Sequence, residues 1–313
     1  MTLPYDDANP LRIGTRASPL ALAQAEEVRD RLRAAHGLAE GAIAIVPLST
    51  TGDERLEKRL GLIGGKGLFT KEIEDAMLER RVDVAVHSMK DVPTEHRDGL
   101  MLGAILERED VRDAFVSLAH ESLDALPAGA RVGTASLRRQ AQLLSRRPDL
   151  DVVLFRGNVQ TRLRKLEAGE ADATFLAMAG LRRLGMTHVA RGPIAPEAML
   201  PAVAQGAIGI ELRAEDADAR RAVEALDHAP TSLRVRAERA FLKVLDGSCR
   251  TPIAGLAEIE GEALRFRGQI LRPDGSESHA AERQGAASDA LALAEEAARE
   301  LKAHASPGFF AEA

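Results

Sequence analysis

The sequence predicts an α/β fold: two similar hinged β-α-β-α-β lobes followed by a small α+β C-terminal domain. Three observations carry this. First, Val82-Asp83-Val84-Ala85-Val86 is a short, apolar, β-branched run of the kind buried in a parallel sheet, and Pro93 keeps it from continuing into a central ladder. Second, the order of elements around it occurs twice. Arg12-Ile13-Gly14-Thr15-Arg16-Ala17-Ser18 is echoed by Arg131-Val132-Gly133-Thr134-Ala135-Ser136, and each leads into a helix. Third, beyond about residue 230 the alternation gives way to one helix, three strands and a last helix.

Taken in order, Leu11 to Arg16 reads as a strand. Ser18 is a good N-cap, Pro19 suits the first helical position, and Ala21, Ala25, Val28, Leu32 and Ala35 hold a helical period until Gly37. Ala42 to Leu48 is a second strand, and Gly61 to Gly67 a glycine-rich loop. The loop is not a Walker motif: Gly61 lies one residue too close to Gly65-Lys66, and no Ser or Thr follows the lysine. A helix begins near Thr70 with its acids early and its arginines late, as the helix dipole prefers, and feeds the Val82 strand.

In the second lobe Asp151 to Phe155 is a strand, Val159 to Ala168 a helix stopped by Gly169, and the run to Ala177 a third strand. Ala202 to Leu212 holds a glycine-spaced strand that crosses back to the first lobe. The expected division is therefore 1–106 with 207–226 as lobe 1, 107–206 as lobe 2, and 227–313 as the C-terminal domain. Two lobes joined by two crossings make a hinged cleft, a periplasmic-binding-protein-like plan. In the last domain Ser232 to Leu245 is a helix, strands lie at 253–260, 264–271 and 277–282, and Asp289 to Ala303 is an alanine-rich helix. Pro273-Asp274-Gly275-Ser276 is the turn between the last two strands, and the N-terminal tail reads as weakly ordered.

Bulk composition excludes several classes. With 313 residues, 45% hydrophobic and 29% charged, the chain is an ordinary globular protein long enough for two or three domains. A net charge of −6 and only 3% aromatic residues argue against nucleic acid. No apolar run reaches the roughly 20 residues of a membrane span. The first ten residues lack the apolar stretch of a signal peptide. One cysteine, Cys249, rules out an internal disulfide and fits a cytoplasmic setting, while the 8 histidines show no ligand spacing and imply no metal.

Lys90 and Asp91 follow the carboxyl end of a strand, where open α/β sheets place their ligands, although a Lys-Asp pair in a loop is equally a solvated surface pair. Ser136 caps a helix whose first turn carries Arg138 and Arg139, against the preference of the dipole. An anion bound there would offset that cost. Arg16 precedes the matching helix in the first lobe, Arg156 and Arg162 flank the start of the next, and Arg182-Arg183 follow the third strand. Surface arginines are the plain alternative for each, but several at equivalent strand ends indicate a polyanion carrying carboxylates or phosphates. Cys249 sits in Gly247-Ser248-Cys249-Arg250 among small polar residues, and the adjacent arginine favours thiolate. His87 reads as structural.

Six segments together resemble the porphobilinogen deaminase (hydroxymethylbilane synthase) family. They are Arg12 to Ala21, Gly64-Gly65-Lys66-Gly67-Leu68-Phe69, His87-Ser88-Met89-Lys90-Asp91-Val92-Pro93-Thr94, Gly133 to Gln140, Arg156 to Arg162, and Gly247 to Arg250. The resemblance runs in order from Leu11 to about Gly255. Thr94-Glu95-His96-Arg97-Asp98-Gly99 departs from the Leu-Pro-containing turn expected there. The resemblance implies a cytoplasmic, monomeric transferase with a dipyrromethane cofactor held by thioether to Cys249. Four porphobilinogens are then joined head to tail with loss of ammonia, and hydroxymethylbilane is released. It further implies that Asp91, with Lys90, is catalytic and stabilises a cationic azafulvene. Arg16, Ser18, Thr134, Ser136, Arg138, Arg139, Arg156, Arg162, Arg183 and Gln205 would bind cofactor and substrate carboxylates, and Lys66 and Phe69 would lie on a lid. The rival reading is a hinged anion-binding or sensor protein.

Overall fold

The computed structural model describes residues 3–50, 70–245 and 252–310. Lys66, Phe69 and Cys249 lie outside them. The described residues form two compact units, one from 3–50, 70–109 and 206–232, the other from 110–205 and from residue 233 onward.

The chain opens with β1 (Leu11–Arg16) and α1 (Pro19–His36). The Ser18 hydroxyl accepts the Ala21 N–H at 3.3 Å, and Gly37 ends the helix at φ 64°, a left-handed conformation that costs glycine nothing. Next come β2 (Ile43–Leu48), α2 (Lys71–Leu78), β3 (Val84–Ser88), which runs into a helical turn at Met89–Asp91, and β4 (Leu100–Ile105). Then follow β5 (Asp113–Val116), β6 (Arg131–Gly133), α3 (Leu137–Arg146), β7 (Asp151–Val153), α4 (Val159–Glu167), β8 (Ala173–Ala177), α5 (Met178–Arg183) and β9 (Gly192–Pro193). The chain continues through β10 (Ile208–Arg213), α6 (Ala217–Glu224) and α7 (Ala229–Val244). It finishes with β11 (Ile253–Glu260), β12 (Ala263–Leu271), β13 (Ser278–Ala286) and α8 (Ala290–His304).

The first unit holds a five-stranded sheet in the order β2-β1-β3-β10-β4. β1 runs parallel to β2 and β3, while β10 is antiparallel to β3 and β4. Val28 and Leu32 of α1 and Val223 of α6 pack on one face with Ile13, Val86 and Ile210. Ile73 and Met77 of α2 cover the other face with Val82 and Leu100. Leu3 and Tyr5 also pack on the first of these cores, so the N-terminal tail is anchored rather than weakly ordered. Two partly buried apolar side chains are what the sequence reading undervalued there.

The second unit repeats the plan as β7-β6-β8-β5-β9, with β6 parallel to β7 and β8 and β5 antiparallel to β8 and β9. Leu143 of α3 packs with Phe115 and Phe175 on one face; Leu166 of α4 and Leu181 of α5 pack with Phe155 and Leu176 on the other. This unit also contains the small antiparallel sheet β11-β12-β13. Phe241 of α7 and Phe266 of β12 meet with ring centres 5.0 Å apart. A Cβ at Gly268 would come within 2.5 Å of the Phe241 ring, which is why the strand carries glycine there. The fully buried Glu238 of α7 accepts the Ala204 N–H at 2.6 Å and the Ala257 N–H at 2.9 Å.

The α/β class, the paired sheets and the small C-terminal sheet are those the sequence predicts. β4, β5, β9, α5 and α6 are additions. Each is short, or, in β4, a continuous apolar run interrupted by Gly103, so neither period 2 nor period 3.6 stands out. α7 starts at Ala229 rather than Ser232 because Pro230 serves as an early helical residue.

Candidate active site

In the first unit β1 and β3 are neighbours, so their carboxyl ends bring Arg16 and Asp91 together. Arg16 Nη1 lies 3.9 Å from Asp91 Oδ2, and both side chains are partly exposed. They line a pocket with Gln24 and Thr70 and with His87 and Ser88 at the end of β3. Gln24, buried on α1, donates from Nε2 to the Ser88 hydroxyl at 2.9 Å. Lys90 is exposed beside Asp91, and Ser18 is occupied in capping α1. The turn that carries Asp91 starts where the Met89 N–H donates to the Ala207 carbonyl, just before β10.

Beneath this turn lies a buried carboxylate, Glu211 on β10, with 1% exposure. His96 Nδ1 is 2.8 Å from its Oε1, and His87 Nε2 is 3.4 Å from its Oε2. Burial pushes the Glu211 carboxyl upward, but the two imidazoles outweigh it and hold the group down at about 2. His87, on β3, thus faces an acid inside the buried strand β10 and also lines the pocket with Arg16 and Asp91.

The second unit presents the opposite charge. Ser136 caps α3, accepting the Arg139 N–H at 3.4 Å, and Thr134 Oγ1 accepts the Ser136 N–H at 3.1 Å. Arg138 and Arg139, each 6% exposed, converge on Asp113, the wholly buried first residue of β5. Arg138 Nη2 lies 2.8 Å from Asp113 Oδ2, and Arg139 Nη2 donates to Oδ1 at 2.6 Å. Gln205 Nε2 adds a 3.0 Å bond to the same Oδ1. Arg138 also donates to the Leu200 carbonyl and Arg139 to that of Phe175. An anion does offset the two cations in the first turn of α3, and it is a residue of the chain. The sequence reading missed Asp113 because β5 is only four residues long; an aspartate heading the run Ala-Phe-Val was the available signal.

The Asp113 carboxyl is strongly stabilised as the anion. Burial tends to raise its carboxyl, yet the two guanidiniums hold it far below the usual carboxylate range. Arg156, buried at the end of the β7 segment, has its guanidinium pushed down by desolvation. Arg162, in the first turn of α4, is pushed down to about 10 by burial and by repulsion from Arg139 and Arg156. Its Nε donates to the Gly157 carbonyl at 3.0 Å, and Asn158 caps the helix by accepting the Thr161 N–H. Two guanidiniums therefore close on Asp113, and Arg162 lies within electrostatic reach of Arg139 and Arg156. Arg183, half-buried, ends α5 on the far side of β8, and its neighbour Arg182 pairs with Asp110.

A partly exposed carboxylate at one strand end and buried, fixed guanidiniums in the companion lobe are the features of an α/β protein that handles small carboxylate-bearing molecules. The family comparisons sharpen that class. A model of the porphobilinogen deaminase dipyromethane cofactor binding domain matches residues 11–221, and one of the porphobilinogen deaminase C-terminal domain matches 232–303. A porphobilinogen deaminase of Paracoccus denitrificans is 62% identical over 310 residues, spanning 99% of each chain. A chloroplastic porphobilinogen deaminase of Oryza sativa subsp. japonica is 55% identical over 305 residues, 96% of this chain and 85% of the relative. A periplasmic substrate-binding protein from Coxiella burnetii superposes with a TM-score of 0.43 at 16% identity, over 71% of this chain and 94% of that one, too distant to carry an argument. The chain belongs to the porphobilinogen deaminase family. It is a transferase of tetrapyrrole biosynthesis with a dipyrromethane cofactor, and the hinged binding or sensor protein is not favoured.

Proposed function

We propose that the two charge clusters divide the work of polymerising porphobilinogen, the second unit binding carboxylates and the first handling the charge that develops on the pyrrole. The observation that carries this reading is the buried Arg138–Asp113–Arg139 cluster with Arg162 repelled by Arg139 and Arg156 beside it. It fits a dipyrromethane, whose acetate and propionate groups are anions that guanidiniums bind. Arg138, Arg139, Arg156 and Arg162 would hold those groups, with Thr134, Ser136, Arg183 and Gln205 supporting them. Arg16, Ser18 and Lys90 would do the same for the incoming substrate. When bound, the cofactor supplies a covalently held pyrrole end to which the first substrate is joined.

Asp91 faces the positive charge that grows on a pyrrole as ammonia leaves. A carboxylate already held at a strand end needs no reorganisation to stabilise that charge or to accept the pyrrole N–H. Arg16 lies 3.9 Å away, which leaves the carboxylate outside any short bidentate pair with that guanidinium. Lys66 and Phe69 would cover the site, and Cys249 would carry the thioether. We further propose a cytoplasmic monomer, which a single cysteine in 313 residues suits, with lobes 1–106 plus 207–226 and 107–206 and a C-terminal domain at 227–313.

The mass of the intact, denatured chain tests the covalent arrangement. It should exceed the sequence mass by two linked pyrroles and gain whole pyrrole units after exposure to porphobilinogen. Cys249→Ala should return it to the bare value. A parental chain at bare mass that still converts porphobilinogen would rule out the covalent attachment.

A further inference from the structure

The turn from Thr94 to Gly99 contributes His96, the closer of the two imidazoles on buried Glu211. The backbone holds both ends of the segment from Met89 to Leu100. Met89 N–H donates to Ala207 and Val92 N–H to Met89, while Leu100 N–H donates to Arg97 and Ala214 N–H to Gly99. Met89 and Val92 are buried beside Asp91, and farther along Arg97 and His96 form ion pairs with other elements of the unit. Arg97 pairs with Asp75 of α2, but both groups are well exposed, and such pairs hold little order. His96 is different, because its partner is a carboxylate with 1% exposure on a central strand. A charge-assisted bond to a desolvated acid is both stronger and more directional.

We propose that His96 is a positioning residue for Asp91, its Nδ1 hydrogen bond to Glu211 fixing the segment that carries the catalytic carboxylate to β10. This rests on the reading of Asp91 given above. The groups facing Glu211 are His87 from β3 and His96 from the segment itself. Arg213, on the same strand, is engaged by Asp83 and Asp216, and Asp75 of α2 by Arg97. Without His96 the segment loses its hydrogen bond to a buried acid five residues beyond Asp91, leaving His87 at 3.4 Å as the other imidazole on Glu211.

Cofactor-loaded His96→Leu, His96→Asn and Asp91→Ala chains test this against the parent. Asparagine can place an N–H donor near the position of Nδ1; leucine cannot. His96→Leu should lower kcat roughly tenfold with KM within about twofold, the size of one charge-assisted hydrogen bond. His96→Asn should recover most of that loss. Amide exchange at Val92 and Leu100 should quicken in the leucine chain and stay near parental in the asparagine chain. A parental kcat in His96→Leu, a change in KM alone, or no recovery with asparagine would overturn the proposal while leaving Asp91 in place. Parental turnover by Asp91→Ala would instead remove the reading on which it stands.

Discussion

The two sheets share one strand plan and differ in what they do with buried charge. In the first unit the acid at the ligand end, Asp91, is partly exposed and 3.9 Å from its arginine, while the tightly held acid, Glu211, is kept beneath the turn. In the second unit Asp113 is wholly buried, and Arg138 and Arg139 close on it at 2.8 and 2.6 Å. If Asp91 acts as proposed, the group that must respond to charge appearing during reaction is the one left loosely paired, whereas Arg138 and Arg139 are held by an internal counter-ion.

The contrast is broken most severely at Asp91. Asp91→Ala should lower kcat by about a thousandfold, the loss typical of one preorganised electrostatic group, with the unfolding transition unmoved. Asp91→Glu, which keeps the charge but moves it by a methylene, should retain a measurable fraction. Steady-state kinetics beside denaturant unfolding would separate the two effects.

Asp113 should behave in the reverse manner. Asp113→Ala leaves two buried guanidiniums uncompensated and should destabilise the second unit by about 3 kcal/mol, read from denaturant unfolding. The same pairing has an acid signature. The folded-state pKa lies below that of the unfolded chain, so the stabilisation is complete above the ordinary carboxylate range of about 4 and disappears as pH falls below it. Acid unfolding followed by circular dichroism should therefore steepen below pH about 4 in the parent and flatten in Asp113→Ala.

The mildest change sharpens the comparison within the second unit. Arg162 is repelled by Arg139 and Arg156, so Arg162→Ala should leave stability equal or slightly raised. If it contacts a carboxylate of the ligand, KM for porphobilinogen should still rise by roughly tenfold. An arginine that raises KM on removal without lowering stability belongs to the ligand rather than to the fold.

Much of this was legible in the sequence where signals were local. Ser18, Pro19 and Gly37 delimit α1, Ser136 caps α3, and the echo of Arg12 to Ser18 at Arg131 to Ser136 discloses the second sheet. The basic first turn of α3 exposes the need for an anion. What stayed hidden depends on partners distant in sequence. Asp113 lies 25 and 26 residues from its arginines, and Glu211 lies 115 residues from His96, too far for any periodicity to relate them. Gln24 looked like an ordinary helical residue until β3 brought Ser88 against it.

The route of the chain also sets an order of assembly. Every strand of the second sheet, from Asp113 to Pro193, lies in one stretch of sequence, whereas the first sheet waits for β10 between its β3 and β4 strands. A ribosome making this protein therefore releases all five strands of the later sheet before it releases the missing strand of the earlier one. Until Ile208 to Arg213 emerge, β3 and β4 keep unpaired edges, and Glu211 has yet to reach His87 and His96. The first sheet, whose opening strand is synthesised earliest, is thus completed only after every strand of the second sheet has emerged.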